Sequence, residues 1–223
     1  LMWAGGYEPE LTSLLTMLIQ PGWVVLDVGA HIGWFTVLFS RLVGPKGRVY
    51  AFEPDPANFA LLRANTVRLS NCVVHPLAVW DSSGVRTFWR TPKEVESGWG
   101  SLLPDKEPRE PLEAATTIDE YVVAAALSRV DLIKLDVEGA EGRCIAGAAK
   151  TLQALRPVVI SETNATCLER DKLAPLDLVN RLRAHEYRVG RLGSGRIRPT
   201  NTIVALPEEW SHLRSQLGQV VEW

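Results

Sequence analysis

Three acids stand at the ends of short apolar runs: Glu53 after Arg48-Val49-Tyr50-Ala51-Phe52, Asp136 after Val130 to Leu135, and Glu162 after Val158-Val159-Ile160-Ser161. Glu138 and Glu141 follow Asp136 closely, in Asp136-Val137-Glu138-Gly139-Ala140-Glu141. Carboxylates can accept hydroxyl hydrogen bonds, take a proton, or hold a hard cation. Before all of them comes Val24-Val25-Leu26-Asp27-Val28-Gly29-Ala30-His31-Ile32-Gly33-Trp34-Phe35-Thr36. It reads as a strand covered on both faces, a glycine-bearing turn and the first turn of a helix. Glycines there let a ligand approach the main chain, and the helix start offers unpaired N–H groups.

The glycine pattern narrows the ligand. A dinucleotide turn carries G-x-G-x-x-G to receive a pyrophosphate. Here the turn is Gly29-x-x-x-Gly33, with Asp27 two residues ahead and Trp34-Phe35 where a third glycine would fall. A ligand with a cationic amino-acid end and no pyrophosphate fits better, and S-adenosylmethionine is such a ligand. Glu53 lies about 20 residues beyond Gly33, a spacing suited to a carboxylate that accepts both ribose hydroxyls.

The elements that must position these residues alternate. Apolar residues at helical spacing place a cover helix over about 9–20, which either only covers the sheet or also helps to close the ligand site. Helices are expected over 33–43, from 56, over about 140–155 and over 176–185. Strands are expected at 24–28, 48–53, 72–79, 130–136, 157–162, 187–192 and 197–206, with 85–90 in a hairpin with the segment before it and a final surface helix over 207–217. Such alternation predicts a doubly wound α/β fold with a mostly parallel seven-stranded sheet and a terminal antiparallel hairpin. The chain reads as a single domain, 1–223. Residues 91–113, rich in proline and charge, read as an insertion loop that could cover an acceptor, with Trp99 able to stack on a flat or sugar-like group.

Composition bounds the partners. The 223 residues are 46% hydrophobic and 22% charged, with a formal net charge of −2. That balance gives no electrostatic footprint for nucleic acid. No apolar run reaches the roughly 18 residues of a membrane span, and no leader opens the chain, so a cytoplasmic location is expected. Cys72, Cys144 and Cys167 are too scattered for a zinc site or a disulfide framework, and are expected to be reduced thiols. The chain starts at Leu1 without an initiator Met, and its oligomeric state is not written in the sequence.

DVGAHIGWFT, FEPDP, PLAVWD, TTIDEY and DLIKLDVEGAE, in this order, resemble the FkbM-type methyltransferases, which are class I S-adenosylmethionine-dependent enzymes. The resemblance spans about Tyr7 to Leu206. It implies transfer of a methyl group to a hydroxyl of a small molecule, sugar or secondary metabolite. It also implies that Gly29, Ala30, His31 and Gly33 line the methionine part of the cofactor, with Phe35 and Thr36 in the same helical turn. Glu53 would bind the ribose, Asn71 and Ala78 would border the adenine, and Asp136 would sit near the sulfonium. His31 stands where the family more often has Asn.

An alcohol is a weak nucleophile, so a base or a metal would help. Asp136, Glu138 and Glu162 are the candidates for the base. Asp136, Glu162 and Asn164 could together hold Mg²⁺ through oxygen ligands. Lys134, within a central strand, needs a carboxylate partner such as a site acid. Glu141 suits a helix N-terminus. His75 is read as a strand residue. Two other classes are weighed: an NAD-binding oxidoreductase, which the missing third glycine opposes, and a cofactor-binding protein without catalysis, which the set Gly29, Gly33, Glu53 and Asp136 opposes.

Overall fold

A computed structural model describes residues 7–88, 110–193, 200–216 and 220–222. The chain opens with α1 (Pro9–Leu18), β1 (Val24–Val28), α2 (Trp34–Val43), β2 (Arg48–Phe52), α3 (Pro56–Thr66) and β3 (Cys72–His75). A small excursion follows, with β4 (Ala78–Val79), β5 (Gly84–Phe88) and β6 (Glu110–Thr116). The chain then returns through α4 (Ile118–Ala124), β7 (Leu132–Leu135), α5 (Glu141–Ala146), α6 (Ala149–Ala154), β8 (Val158–Asn164), α7 (Ala165–Leu168) and α8 (Pro175–Ala184). It closes with β9 (Tyr187–Leu192), β10 (Thr200–Pro207), a 3-10 helix over Glu208–Gln216 and β11 (Val220–Glu222).

The main sheet has the order β11-β9-β10-β8-β7-β1-β2-β3. Strands β3, β2, β1, β7 and β8 run parallel, and β10 lies antiparallel between β8 and β9. These seven strands are the sheet expected from the sequence. β11 adds a three-residue edge strand beside β9.

Strand alternation assigns the two faces. Val25, Leu132, Val158, Ile160 and Val204 meet α1 and α2 through Leu14, Leu15, Leu18, Phe35 and Phe39. Leu26, Val28, Ile133, Leu135, Val159 and Ile203 meet α4, α5, α6 and α8 on the other face. Burial of these branched side chains, at about 1.5–3 kcal/mol each, drives the layering. α1 therefore packs over the middle of one face rather than across the sheet edge.

Three expectations need correction. The strand expected at 72–79 is divided at Pro76: β3 joins the main sheet, and β4 joins a three-stranded sheet of order β4-β6-β5. β5 makes no hairpin with β4, because β6 lies between them, parallel to β4 and antiparallel to β5. The helix expected over 140–155 is broken into α5 and α6 at Gly147, where a Cβ would come 2.1 Å from the Trp80 carbonyl oxygen. The insertion at 91–113 lies outside the described residues up to 109, Trp99 included, and its last residues enter β6. Among the described residues, no helix is long and apolar enough to cross a membrane.

Candidate functional site

The register of four parallel strands sets the site. Val28 pairs with Phe52 and with Leu135, and Leu135 pairs with Ser161. The residues that follow them, Gly29, Glu53, Asp136 and Glu162, therefore leave the sheet at one level. This is the carboxyl edge, where ligands bind in open parallel sheets.

The glycine turn is held from below. Gly29 has φ 79°, and a Cβ on it would fall 1.8 Å from the Asp136 carbonyl oxygen. Gly29 and Ala30 donate their N–H groups to the Phe52 carbonyl, at 3.0 and 2.9 Å. His31 takes a left-handed conformation at φ 51°, and Gly33 caps α2 at φ 91°. Asp27 is wholly buried, and its Oδ2 accepts the Thr36 hydroxyl at 2.6 Å. Its Oδ1 has no hydrogen-bond partner among the described residues. Burial raises the Asp27 pKa, against the charge of Lys134 and the Thr36 hydrogen bond. Asp27 and Thr36 thus form a clamp beneath the turn. Phe35 likewise points its ring into the core, stacked on Phe39. The side chains of Phe35 and Thr36 support the turn and do not line its surface.

Glu53 is 5% exposed, and both of its oxygens accept backbone N–H groups. Oε2 takes His31 at 2.8 Å, and Oε1 takes Asp55 at 2.9 Å. The Asn58 side chain bonds the same carboxylate, so Glu53 ties the glycine turn to α3 and keeps part of its four-site acceptor capacity for a ligand hydroxyl. Burial pushes Glu53 up to about 7 despite the two backbone N–H donors and the Asn58 side chain.

Asp136 and Glu162 are neighbours and share a hydrogen bond. Lys134, 3% exposed, donates to Asp136 Oδ2 at 2.9 Å, and its ammonium lies 4.8 Å from the centre of the Phe35 ring. Burial works against the ammonium, but the charges of Asp136 and Asp27 outweigh it and hold Lys134 above its ordinary value. Burial also opposes the Asp136 charge, and Lys134 overcomes this, holding Asp136 below the usual carboxylate range. Glu162 moves the other way, raised by burial and then by the Asp136 charge. The two carboxyl groups are thus unlike: Lys134 favours the charge on Asp136, and burial beside that charge disfavours a second one on Glu162. The pairing of Lys134 with a site acid agrees with the sequence reading.

The turn after β7 is shaped around these acids. Glu138 is left-handed at φ 51° and Gly139 has φ 103°. Glu138 Oε2 accepts the Cys167 thiol at 3.3 Å, and burial followed by the Asp136 charge raises its pKa. Glu141 is buried. Its Oε1 accepts the Val137 and Gly139 N–H groups at 3.3 and 3.2 Å, so it braces the turn at the start of α5. Burial lifts Glu141 to about 7.

Two residues outside the candidates drawn from the sequence, Tyr7 and Glu8, stand at this site. The Tyr7 ring packs on Trp34 and Phe35, with centroids 6.0 and 5.9 Å apart. Its hydroxyl bonds Glu8, and the charges of Glu8, Asp136, Lys134 and Glu162 all act on it. Glu8 is left-handed at φ 44°. Nothing local in the sequence marks this pair, because tertiary packing of α1 brings it to the site.

Other expected site residues lie elsewhere. Asn71 is at the opposite, amino edge of β3. There its side chain accepts the Ser40 hydroxyl at 2.6 Å and donates to the Ser40 and Gly44 carbonyls at 2.9 and 2.8 Å. It fastens the end of α2 and does not border the adenine position. Ala78 is buried in β4, packed with Val137 and Ala140 beside the Asp136 turn. Asn164 Oδ1 is spent on the Thr166 and Cys167 N–H groups, as the cap of α7. With Asp136 paired to Lys134 and Asn164 Oδ1 turned to its cap, the structure does not support the Mg²⁺ donor set of Asp136, Glu162 and Asn164 that the sequence suggested. Among the described residues, no group of three His, Cys, Asp or Glu is placed to hold a metal ion.

The sheet order, the antiparallel β10 and a glycine turn after the central strand with acids at the adjoining strand ends define the class I methyltransferase fold. Residues 27–189 match the methyltransferase FkbM domain, and the chain belongs to that family. It is 34% identical over 160 residues to 31-O-demethyl-FK506 methyltransferase FkbM of Streptomyces tacrolimicus, covering 58% of this chain and 60% of that protein. It is 29% identical over 158 residues to 2-O-methyltransferase NoeI of Sinorhizobium fredii, covering 65% of each. The chain thus spans less than two thirds of the length of these curated relatives. The crystal structure of methyltransferase FkbM from Methylobacillus flagellatus superposes with a TM-score of 0.57 at 20% identity, over 84% of this chain and 44% of that one. That likeness shows the fold.

Proposed function

We propose that the protein binds S-adenosylmethionine and methylates a hydroxyl group on a small molecule or sugar. The observation that carries the reading is the common level of Gly29, Glu53 and Asp136 at the carboxyl edge of β1, β2 and β7. The residues present fit the cofactor. Glu53 keeps acceptor capacity for a ribose diol, Asp27 Oδ1 is a buried acceptor with no partner among the described residues, and Gly29 leaves no side chain in the turn. The two relatives named for O-methylation support oxygen as the acceptor atom.

The cofactor, when bound, supplies an electrophilic methyl group on a cationic sulfur. The chain's own work is to hold an acceptor oxygen in line with that methyl and to keep water out, which can contribute several kcal/mol to lowering the barrier. Tyr7 and Trp34, backed by the buried Phe35, give an aromatic wall beside the acids. Asp136, Glu162 and Glu138 are the carboxyl groups available to receive the hydroxyl proton, and Lys134 fixes the orientation of Asp136. A cytoplasmic location accords with reduced thiols at Cys72, Cys144 and Cys167.

The test is transfer of radiolabelled methyl from S-adenosylmethionine to a panel of glycosides and polyol alcohols. An ether keeps its label in alkali, whereas a methyl ester loses it. Alkali-stable label supports the reading. Alkali-labile label, or none across the panel, counts against hydroxyl methylation.

A further inference from the structure

We propose that Asp136 and Glu162 form a proton store governed by the charge of the bound cofactor, holding one proton beside the neutral thioether product and none beside the sulfonium. The inference rests on the methyltransferase reading and deepens it.

The geometry comes first. Asp136 and Glu162 directly follow Leu135 and Ser161, which are register partners on adjacent parallel strands. Neighbouring strands lie about 4.8 Å apart, and two carboxyl groups so placed cannot both ionise freely. The two side chains act on each other directly, Asp136 disfavouring a charge on Glu162. Lys134 is committed to Asp136 at 2.9 Å, so a second negative charge on Glu162 has no counterion of its own in that pair. Further groups face the dyad from every side. Glu8 and Tyr7 come from the segment before α1, Asp27 from β1, His31 from the glycine turn and Glu138 from the turn after β7. Glu8 and Asp136 disfavour charge on Glu162, and Lys134 favours it. A further independent feature lies beside the dyad. The wholly buried Asp27 Oδ1, within the field of the same Lys134 and Asp136, lacks a partner among the described residues.

A cation bound at this edge supplies the missing counterion, and the shared proton leaves to solvent. The dyad is then a dianion beside the acceptor. In the transfer step, a lone pair of the acceptor oxygen forms the new O–C bond. The S–C bond breaks with its electron pair returning to sulfur, and the O–H proton passes to Glu162. One positive charge disappears from sulfur as one proton arrives on the dyad, so the site's net charge is unchanged across the step. Loss of the sulfonium restores the preference for the protonated dyad, which draws the hydroxyl proton in the forward direction.

The experiment is calorimetric titration of S-adenosylmethionine and, separately, S-adenosylhomocysteine into the full chain near neutral pH. Each titration is run in phosphate and in Tris, whose ionisation heats differ. The dependence of the observed heat on buffer counts the protons exchanged. S-adenosylmethionine should release about one proton per site more than S-adenosylhomocysteine, because whatever Glu53 sheds to the ribose is common to both. Glu162→Gln should still bind both and lose the release that accompanies the sulfonium form. Equal proton counts for the two ligands in the wild type overturn the proposal while leaving cofactor binding intact. An excess release with S-adenosylmethionine over S-adenosylhomocysteine that persists in Glu162→Gln also overturns it. Failure of both ligands to bind removes the underlying reading, and the proposal with it.

Discussion

Gly29 and Gly22 offer a matched pair of substitutions. Both have left-handed backbones, with φ of 79° and 88°. An alanine at either position meets the left-handed penalty of an L-residue, about 1–2 kcal/mol. Their surroundings differ. Around Gly22 a Cβ would find nothing within 4 Å. At Gly29 it would lie 1.8 Å from the Asp136 carbonyl oxygen and 2.7 Å from its carbon. Comfortable contact is about 3.5 Å, and a backbone carbonyl cannot rotate aside as a side chain can. Asp136 is also held in register by its N–H bond to the Val28 carbonyl, at 3.0 Å. Overpacking of this kind adds about 1–3 kcal/mol. In a domain of this size each kcal/mol moves the midpoint by about 2–4 °C. Thermal unfolding followed by circular dichroism should therefore place Gly29→Ala about 2–12 °C below Gly22→Ala. Gly29→Ala should also lose cofactor affinity, because Asp136 must shift, while Gly22→Ala keeps it. If Gly29→Ala melts no lower than Gly22→Ala and binds like wild type, the close approach of the turn to Asp136 is refuted.

Three other outcomes follow from the site. Thr36→Val keeps the shape of the side chain but leaves wholly buried Asp27 without its 2.6 Å donor, so urea unfolding should show a loss of about 1.5–3 kcal/mol; a loss within error would contradict the clamp. Glu53 sits near pH 7 before a ligand arrives, and only its carboxylate accepts two ribose hydroxyls. Affinity for S-adenosylhomocysteine, which leaves the Asp136–Glu162 pair protonated, should hold above pH 7 and fall below it, approaching tenfold per unit, as tryptophan fluorescence titrations across pH 6–8 can show; a flat profile would contradict that role. Because Asp136 is paired with Lys134 and Asn164 Oδ1 caps α7, EDTA should leave methyl transfer unchanged, and loss of activity restored by Mg²⁺ would restore the metal reading.

The legible parts of the molecule were those set by local pattern. Apolar runs 24–28, 48–52 and 158–161 became β1, β2 and β8, and the turn Gly29 to Gly33 opened α2 as its glycines require. Register then brought Glu53, Asp136 and Glu162 to one edge, as their place at strand ends implied. What escaped notice depended on distant neighbours. β6 begins in a proline-rich stretch, with Pro111 opposite Thr87, and only its pairing with β4 and β5 makes it a strand. Gly147 reads as a tolerated helix residue, yet the Trp80 carbonyl fills the space a side chain would use. Asn71 follows a helix as a site residue might, but its amide serves the end of α2 at the far edge of the sheet. The Tyr7-Glu8 pair acquires its position only when α1 docks on α2.

The central claim is that the carboxyl edge of this sheet holds S-adenosylmethionine, with Glu53 on the ribose. Calorimetric titration of S-adenosylmethionine and of NAD into the wild type and Glu53→Ala tests it most directly. Hydrogen bonds to a charged acceptor are worth about 1.5–3 kcal/mol. The account predicts saturable binding of S-adenosylmethionine, weakened about tenfold or more in the variant, and no comparable binding of NAD. Binding of NAD in its place, or S-adenosylmethionine affinity indifferent to Glu53, would contradict it.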